Sequence, residues 1–245
     1  MKFMTLLICI LFYANAYAID SISIVTDEYP PYAYKEQRLN RGLDIEIISI
    51  ASERLGIKVR VYFLPWARAM EDVKTGKIDA MFSMFKTPKR ESFLYFTTEH
   101  LGNEKVILIT NKESDRQARI LEDLSGWIIG AVRGNSYGKA FDEYKKINRI
   151  DVTNIKQIID MVKQRNRVDA GIVNEFVFAY QVKKLAMAGR FKKLEFVVTN
   201  QPLYMGFSKV KGKSHQKLAE DYSRVLKQMR YEGVIDRIIH KYTRF

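Results

Sequence analysis

Arg90 stands in a run of residues suited to holding an anion. Ile78 to Phe85, rich in Met and Phe, follows a turn at Gly76 and reads as a strand. Thr87-Pro88-Lys89-Arg90 then reads as a helix start. The Thr87 hydroxyl can cap the helix, and Pro88 suits the first helical position because it has no N–H to leave unpaired. A strand that runs into a capped helix start presents free backbone N–H groups and the positive end of a dipole. Arg90 adds a two-pronged donor there. Ser83, Phe85, Thr87 and Arg90 together can hold a small carboxylate, and a solvated basic turn is the other reading of the same residues.

The elements that position this run can be traced from the start of the chain. Ser21 to Asp27 alternates apolar and polar and reads as a first strand. It ends in Glu28-Tyr29-Pro30-Pro31-Tyr32-Ala33-Tyr34, where two prolines stop the strand and leave a stiff loop carrying three tyrosines. In open α/β sheets ligands bind at such carboxyl ends of strands. Gly42-Leu43-Asp44 begins a helix with Leu43, Ile47, Ala51 and Leu55 on one face, ended by Gly56. Asp44 reads as a first-turn partner of the dipole rather than a ligand contact. Ile57 to Phe63 is a second strand, and Pro65 to Lys74 a helix with Trp66 and Arg68 at its entrance. Trp66 is either core or an aromatic wall of a cleft. The order β-α-β-α-β with short links argues for a parallel sheet.

A second cycle follows. Glu104 to Thr110 is a strand, and the polar stretch Asn111 to Arg119 is where a first crossing between lobes is expected. Trp127 to Val132, Arg133-Gly134-Asn135-Ser136-Tyr137-Gly138 and the residues after them read as strand, loop and helix, with Ser136 as N-cap. A phosphate loop needs more glycines and a Lys-Ser/Thr pair, so that reading is rejected. Ile155, Ile158, Ile159 and Val162 form a core-facing helical stripe. Arg167 to Val173 is a buried strand ending at Asn174-Glu175, and a helix runs from there to Ala188. Thr199 to Phe207 returns toward the first lobe, which two amphipathic helices, Ser214 to Tyr231 and Glu232 to Tyr242, complete.

Gly-Lys-Ile-Asp79-Ala80, then Ser83, then Thr87-x-x-Arg90, then Tyr95-Phe96-Thr97 resembles the signature of bacterial extracellular solute-binding proteins of family 3, the periplasmic polar-amino-acid type. The Tyr-Pro-Pro-Tyr loop and the Gly-x-Asp helix start resemble that family too, and the resemblance extends over nearly the whole mature chain. It implies an α/β fold of two lobes, the type II periplasmic-binding architecture, each lobe a mainly parallel sheet flanked by helices and joined by two crossings. The implied division is a signal peptide at 1–18, lobe 1 at 19–110, lobe 2 at 111–200 and a return to lobe 1 at 201–245.

The resemblance also implies residue roles. Arg90 grips a ligand carboxylate; Arg133, Asn135 and Ser136 lie in the loop that supplies the other half of that grip. Tyr32, Tyr34, Trp66 and Phe85 shape the pocket, with Arg68 nearby. The family's strand Asp-Ala-x-x-x ends in an acid that pairs with the ligand ammonium. Counting from Asp169-Ala170 puts Asn174 there, a neutral residue, unless a shift of one position makes it Glu175. The expectation is therefore weak binding of ordinary α-amino acids.

Met1 to Ala18 reads as an export signal: Lys2, the apolar run Phe3 to Ala14, and Ala16-Tyr17-Ala18 as cleavage site, the run being too short to favour a membrane span. Cys9 is the one cysteine and falls within it, so the mature chain has no disulfide or thiolate chemistry. Cys9 comes too early for a lipoprotein anchor. The formal charge of +13 is scattered over every segment, which reads as a solvated basic surface and not a nucleic-acid site. His100, His215 and His240 have no catalytic-triad or metal-ligand spacing. No cofactor or metal is expected. The function expected is a monomeric periplasmic protein closing by hinge motion around a small carboxylate-bearing solute for an ABC-type permease or a membrane sensor. The alternative is a dehydratase on the same scaffold acting on a cyclic carboxylate, with Glu28, Glu99 or Glu175 as its acid.

Overall fold

The computed structural model describes residues 19–164, 167–187 and 189–243; the export signal read at 1–18 lies outside them. Strand β1 (Ser21–Thr26) buries Ile22 and Ile24, as its alternation demands. The tyrosine loop leads into a small hairpin, β2 (Tyr34–Glu36) and β3 (Leu39–Arg41). Helix α1 (Leu43–Leu55), β4 (Lys58–Phe63), α2 (Trp66–Lys74) and β5 (Ala80–Met84) follow, with β1 parallel to both β4 and β5. The short helix α3 (Pro88–Glu91), β6 (Leu94–Phe96) and the long strand β7 (Gly102–Asn111) come next.

The second cycle comprises β8 (Ile128–Val132), α4 (Lys139–Glu143), β9 (Asn148–Val152), α5 (Ile155–Lys163), β10 (Ala170–Asn174) and α6 (Glu175–Lys184). Here β8 runs parallel to β9 and β10. The chain returns through β11 (Phe191–Ser208) and closes with α7 (Lys213–Tyr231) and α8 (Val234–Thr243). The strand order is β4-β1-β5-β11-β7-β10-β8-β9, with β6 on β11. Each half is thus mainly parallel, and antiparallel β7 and β11 join them.

Two sets of buried residues match the two halves. Ile24, Ile47, Phe82, Phe207 and Tyr222 pack around β1, β5, α1 and α7. Leu108, Ile129, Phe141 and Ile172 pack around β7, β8 and β10. On the other face of that second sheet, Ile158 and Val162 of α5 lie so close that a Cβ on Gly171 would meet Ile158 Cγ2 at 2.3 Å. Glycine at 171 is what lets the stripe of α5 seat on β10.

Three local expectations need correction. The crossing expected at Asn111 to Arg119 occurs earlier, because β7 already pairs with β10 from Val106 to Ile109. Strand pairing, not polar composition, decides where a chain changes sheets. Ser136 is not the helix cap: α4 starts after Gly138, and the Ser136 hydroxyl donates to Asp142 Oδ2 at 2.6 Å. Helix α6 ends at Lys184, short of Ala188, and Asn174 is its N-cap, accepting from the N–H groups of Phe176 (2.9 Å) and Val177 (3.0 Å).

Candidate functional site

The carboxyl ends of β1, β8, β9 and β10 converge on one cavity of about 300 Å³. Asp27, Glu28 and Tyr29 enter from the end of β1, Glu104 from β7, and Asn135, Ser136 and Tyr137 from the loop after β8. Asn154, the N-cap of α5, and Asn174 complete its polar lining, together with Thr153 and Gln181. Among the described residues no lysine, arginine or histidine lines it, although the chain as a whole carries +13.

The tyrosine loop is held by the start of α1. The N–H groups of Leu43 and Asp44, which a helix leaves without internal partners, donate to the carbonyls of Pro31 and Tyr32, each at 2.9 Å. That approach requires Gly42, whose φ is +128° and whose Cβ would lie 2.3 Å from the Tyr32 carbonyl oxygen. The fixed loop stacks Tyr29 on Tyr32, centroids 5.5 Å apart and planes 11° from parallel. The Tyr29 hydroxyl donates to Glu104 Oε1 at 3.0 Å. Asn174 Nδ2 donates to the Tyr32 hydroxyl at 3.2 Å, and Asn174 and Glu104 line the cavity together.

Burial pushes the Glu104 carboxyl up from its ordinary range against the pull of the Asn174 and Tyr29 bonds, and the Asp27 charge adds to the rise. Burial likewise raises Asp27. Behind the loop, Asp44 is fully buried and bonded to the Ser83 hydroxyl, with Oδ1 lacking a partner. Its pKa is raised by burial to about 7.

A second pocket, about 580 Å³, opens between α2 and α3. Trp66, Met70, Thr87, Arg90 and Phe93 line it. The Arg90 guanidinium lies over the Trp66 ring at 5.4 Å and donates to the Phe85 carbonyl at 2.7 Å. Thr87 caps α3 as its residue type suggests, accepting from the Arg90 N–H at 3.3 Å.

Residues 22–245 match the family described as bacterial extracellular solute-binding proteins, family 3. The chain belongs to that family. It is similar to the "Probable amino-acid-binding protein YxeM" of Bacillus subtilis, 24% identical over 224 residues, which cover 89% of this chain and 81% of that one. A second Bacillus subtilis relative, the arginine-binding extracellular protein ArtP, is 23% identical over 228 residues, 88% of this chain and 82% of ArtP. The crystal structure of the probable amino-acid ABC transporter extracellular-binding protein ytmK from Bacillus subtilis superposes with a TM-score of 0.78 at 19% identity, covering 91% of this chain and 97% of that one. The relatives named are binding proteins, and the fold is the periplasmic-binding one. Among the described residues no helix is long and apolar enough to cross a membrane.

Within this family member the expected site residues separate into groups. Asn135, Ser136 and Asn174 line the acidic cavity, whereas Trp66, Thr87 and Arg90 line the other pocket. Tyr32 is buried beneath the cavity and joined to it through Asn174. Tyr34 packs on Tyr180 of α6, centroids 5.8 Å apart, and Phe85 packs on the first core. Arg68 is exposed and pairs with Asp72 at 2.9 Å, and Arg133 is exposed beside the cavity loop. Glu175 points away from the cavity: Lys193 and Lys105 (3.1 Å) take its two oxygens. Of the carboxylates weighed as acids, Glu99 is paired with Arg230 at 2.6 Å, and Glu28 is the one lining the cavity.

Asp27, Tyr29 and Glu104 also line the cavity and are not among the expected site residues. Glu104 reads in sequence as the polar opening of a strand. Only the register that sets Asn174 opposite Val106 brings it to the cavity. Asp27 sits at the end of the first strand, in the position from which ligand loops are built, and that was the available signal.

Proposed function

We propose that this is an extracytoplasmic solute-binding protein that closes two lobes around a small solute of the amino-acid class, delivering it to an importer or presenting it to a sensor. The observation that carries this reading is that one cavity draws walls from both halves: Asp27 and Tyr29 from one, Ser136, Asn154 and Asn174 from the other. The lobes are divided where β7 and β11 change partners, near Gly102 and Leu203, and those strands are the hinge. The solute lies against Tyr29 with its polar groups on the strand ends, an arrangement of an apolar wall with a few aimed polar atoms.

A second reading keeps the carboxylate grip at Arg90. It is favoured by the guanidinium's place in a pocket beside an aromatic face, where a planar acid could stack and pair. Thermal shift with amino acids, amines and small acids on the chain from Ile19, followed by small-angle X-ray scattering with each hit, tests both readings. A bound solute at about 100 times its dissociation constant adds roughly 2.7 kcal/mol of stability. The expected result is a raised melting temperature with a smaller radius of gyration. A chain whose stability and shape no such compound alters refutes the binding-protein reading.

A further inference from the structure

In this family's sequence pattern the strand ending at Asn174 is expected to end in an acid, and here a neutral amide stands there. The cavity nevertheless holds three carboxylates, Asp27, Glu28 and Glu104, and among the described residues none of them forms an ion pair. Register explains how one of them arrives. Asn174 pairs with Val106 across β10 and β7, and Glu104, two residues before Val106, lies on the same face of the strand. It accepts from the Tyr29 hydroxyl there at 3.0 Å and lines the cavity with Asn174.

We propose that Glu104 supplies, from the crossing strand, the charge absent at Asn174, and that with Asp27 it makes the cavity select solutes by a positively charged amine, with a solute carboxylate dispensable. This rests on the cavity being the solute site. Asp27 stands at the end of β1 and Glu104 on β7, both lining the one cavity, and the Asp27 charge adds to the rise of the Glu104 carboxyl. Two like charges facing one cavity repel, and an ammonium between them removes the repulsion while pulling both ends of the cleft together. A carboxylate entering the same space meets carboxylates and, among the described residues, no cationic side chain. Tyr29, backed by the buried Tyr32, gives the cavity an aromatic wall that suits the methylene chain of an amine as well as its charge.

Calorimetry on the chain from Ile19 with a matched set tests this. The set is α,ω-diamines of three to six carbons, L-lysine (1,5-diaminopentane with a carboxylate added) and hexanoate, a carboxylate without an amine. The expected result is that a diamine binds at least as tightly as L-lysine and that hexanoate gives no heat. Glu104→Gln should weaken diamine binding by about 10- to 100-fold, the loss of a charged partner. Glu104→Asp should retain most of the affinity. A Gln side-chain carbonyl still accepts from the Tyr29 hydroxyl, so the Gln variant should melt close to the parent, and a weakened affinity is then not a folding defect.

Binding of L-lysine or hexanoate without binding of any diamine overturns the proposal and leaves the solute-binding reading standing. Undiminished diamine binding by Glu104→Gln does the same. Silence from every amine, amino acid and acid takes both down.

Discussion

The cavity under Tyr29 and the pocket beside Trp66 sit in one basic molecule and have opposite chemistry. The first gathers five stretches of the chain and brings Asp27, Glu28 and Glu104 to one cavity without cationic partners among the described residues. The second is built from two neighbouring helices of one lobe, and its arginine already has an aromatic face and a carbonyl. Unsatisfied charge is costly to bury, so the region that retains it is the one that gains most from a ligand. The pocket whose charge is internally satisfied gains less, although its arginine is the more conspicuous residue in the sequence.

The largest effect should come from Gly42, which separates the two regions structurally. Gly42→Ala puts a Cβ into the Tyr32 carbonyl at a φ of +128°, so the tyrosine loop must move or the start of α1 must unwind. A loss of more than about 3 kcal/mol is expected by urea unfolding, through strain plus forfeited hydrogen bonds at the α1 start. The acidic cavity should lose its solute while the Trp66–Arg90 contact persists, as Trp fluorescence can report. Wild-type stability in this variant would mean that the loop is not held by α1.

The next effect is a pH dependence on the acidic side. Asp44, with its pKa raised to about 7, keeps its proton in the folded state where the unfolded chain has lost it. Its contribution is fully present below about pH 4 and is lost as pH rises through about 7, on the order of a few kcal/mol. Glu104 and Asp27 shift in the same direction. Asp79 shifts the other way. Burial would raise it, but hydrogen bonds from His215, Ser23 and Lys211 overcome that and hold it well below the usual range. Its stability is present above about pH 4 and is lost as pH falls. Melting temperatures from pH 4 to 8 should therefore decline toward neutrality, and Asp44→Asn should flatten the decline. An unchanged slope in Asp44→Asn would place the titration elsewhere.

Much of this was legible from residue types and some was not, for physical reasons. Periodicity marks β1, β4, α1, α5 and α7 because each buries one face, and β5, buried on both, shows as a continuous apolar run. The hairpin β2–β3 escapes it, since Lys35, Glu36, Asn40 and Arg41 bury nothing. The Thr87 cap is local and was readable. The Ser136 partner was not, because Asp142 reaches back six residues to take its hydroxyl. Arg90 drew attention by type, yet its partner Trp66 is 24 positions away and packing alone joins them. Glu104 depends on register, which no single segment carries.

Arg90→Ala sharpens the contrast at moderate cost. The guanidinium is partly buried on Trp66 and donates to Phe85, so about 1 kcal/mol of stability should be lost. Amine affinity should change less than about 3-fold, because Arg90 does not line the acidic cavity. Calorimetry showing a loss equivalent to about 2–5 kcal/mol for an acid would instead establish the carboxylate grip at Arg90.

The smallest effect expected is also the most discriminating. Asn174→Asp keeps the two acceptor bonds to Phe176 and Val177, and a carboxylate at the start of α6 is favoured by the helix dipole. It gives up the donation to the Tyr32 hydroxyl, which can turn and donate to the new carboxylate at the expense of Asn103. It also adds a like charge beside Glu104. These terms nearly cancel, so folding stability should change by no more than about 1 kcal/mol. If Glu104 already serves the ammonium, a second carboxylate shares the same proton or the same cation, and amine affinity should rise less than about 3-fold. In a Glu104→Gln background the same substitution replaces a missing charge, and should recover about 10-fold. The two sites are then coupled, and the double-mutant cycle reads the coupling directly. Equal gains in both backgrounds would show that Asn174 and Glu104 face different groups, and the acidic cavity would have to be divided into two subsites.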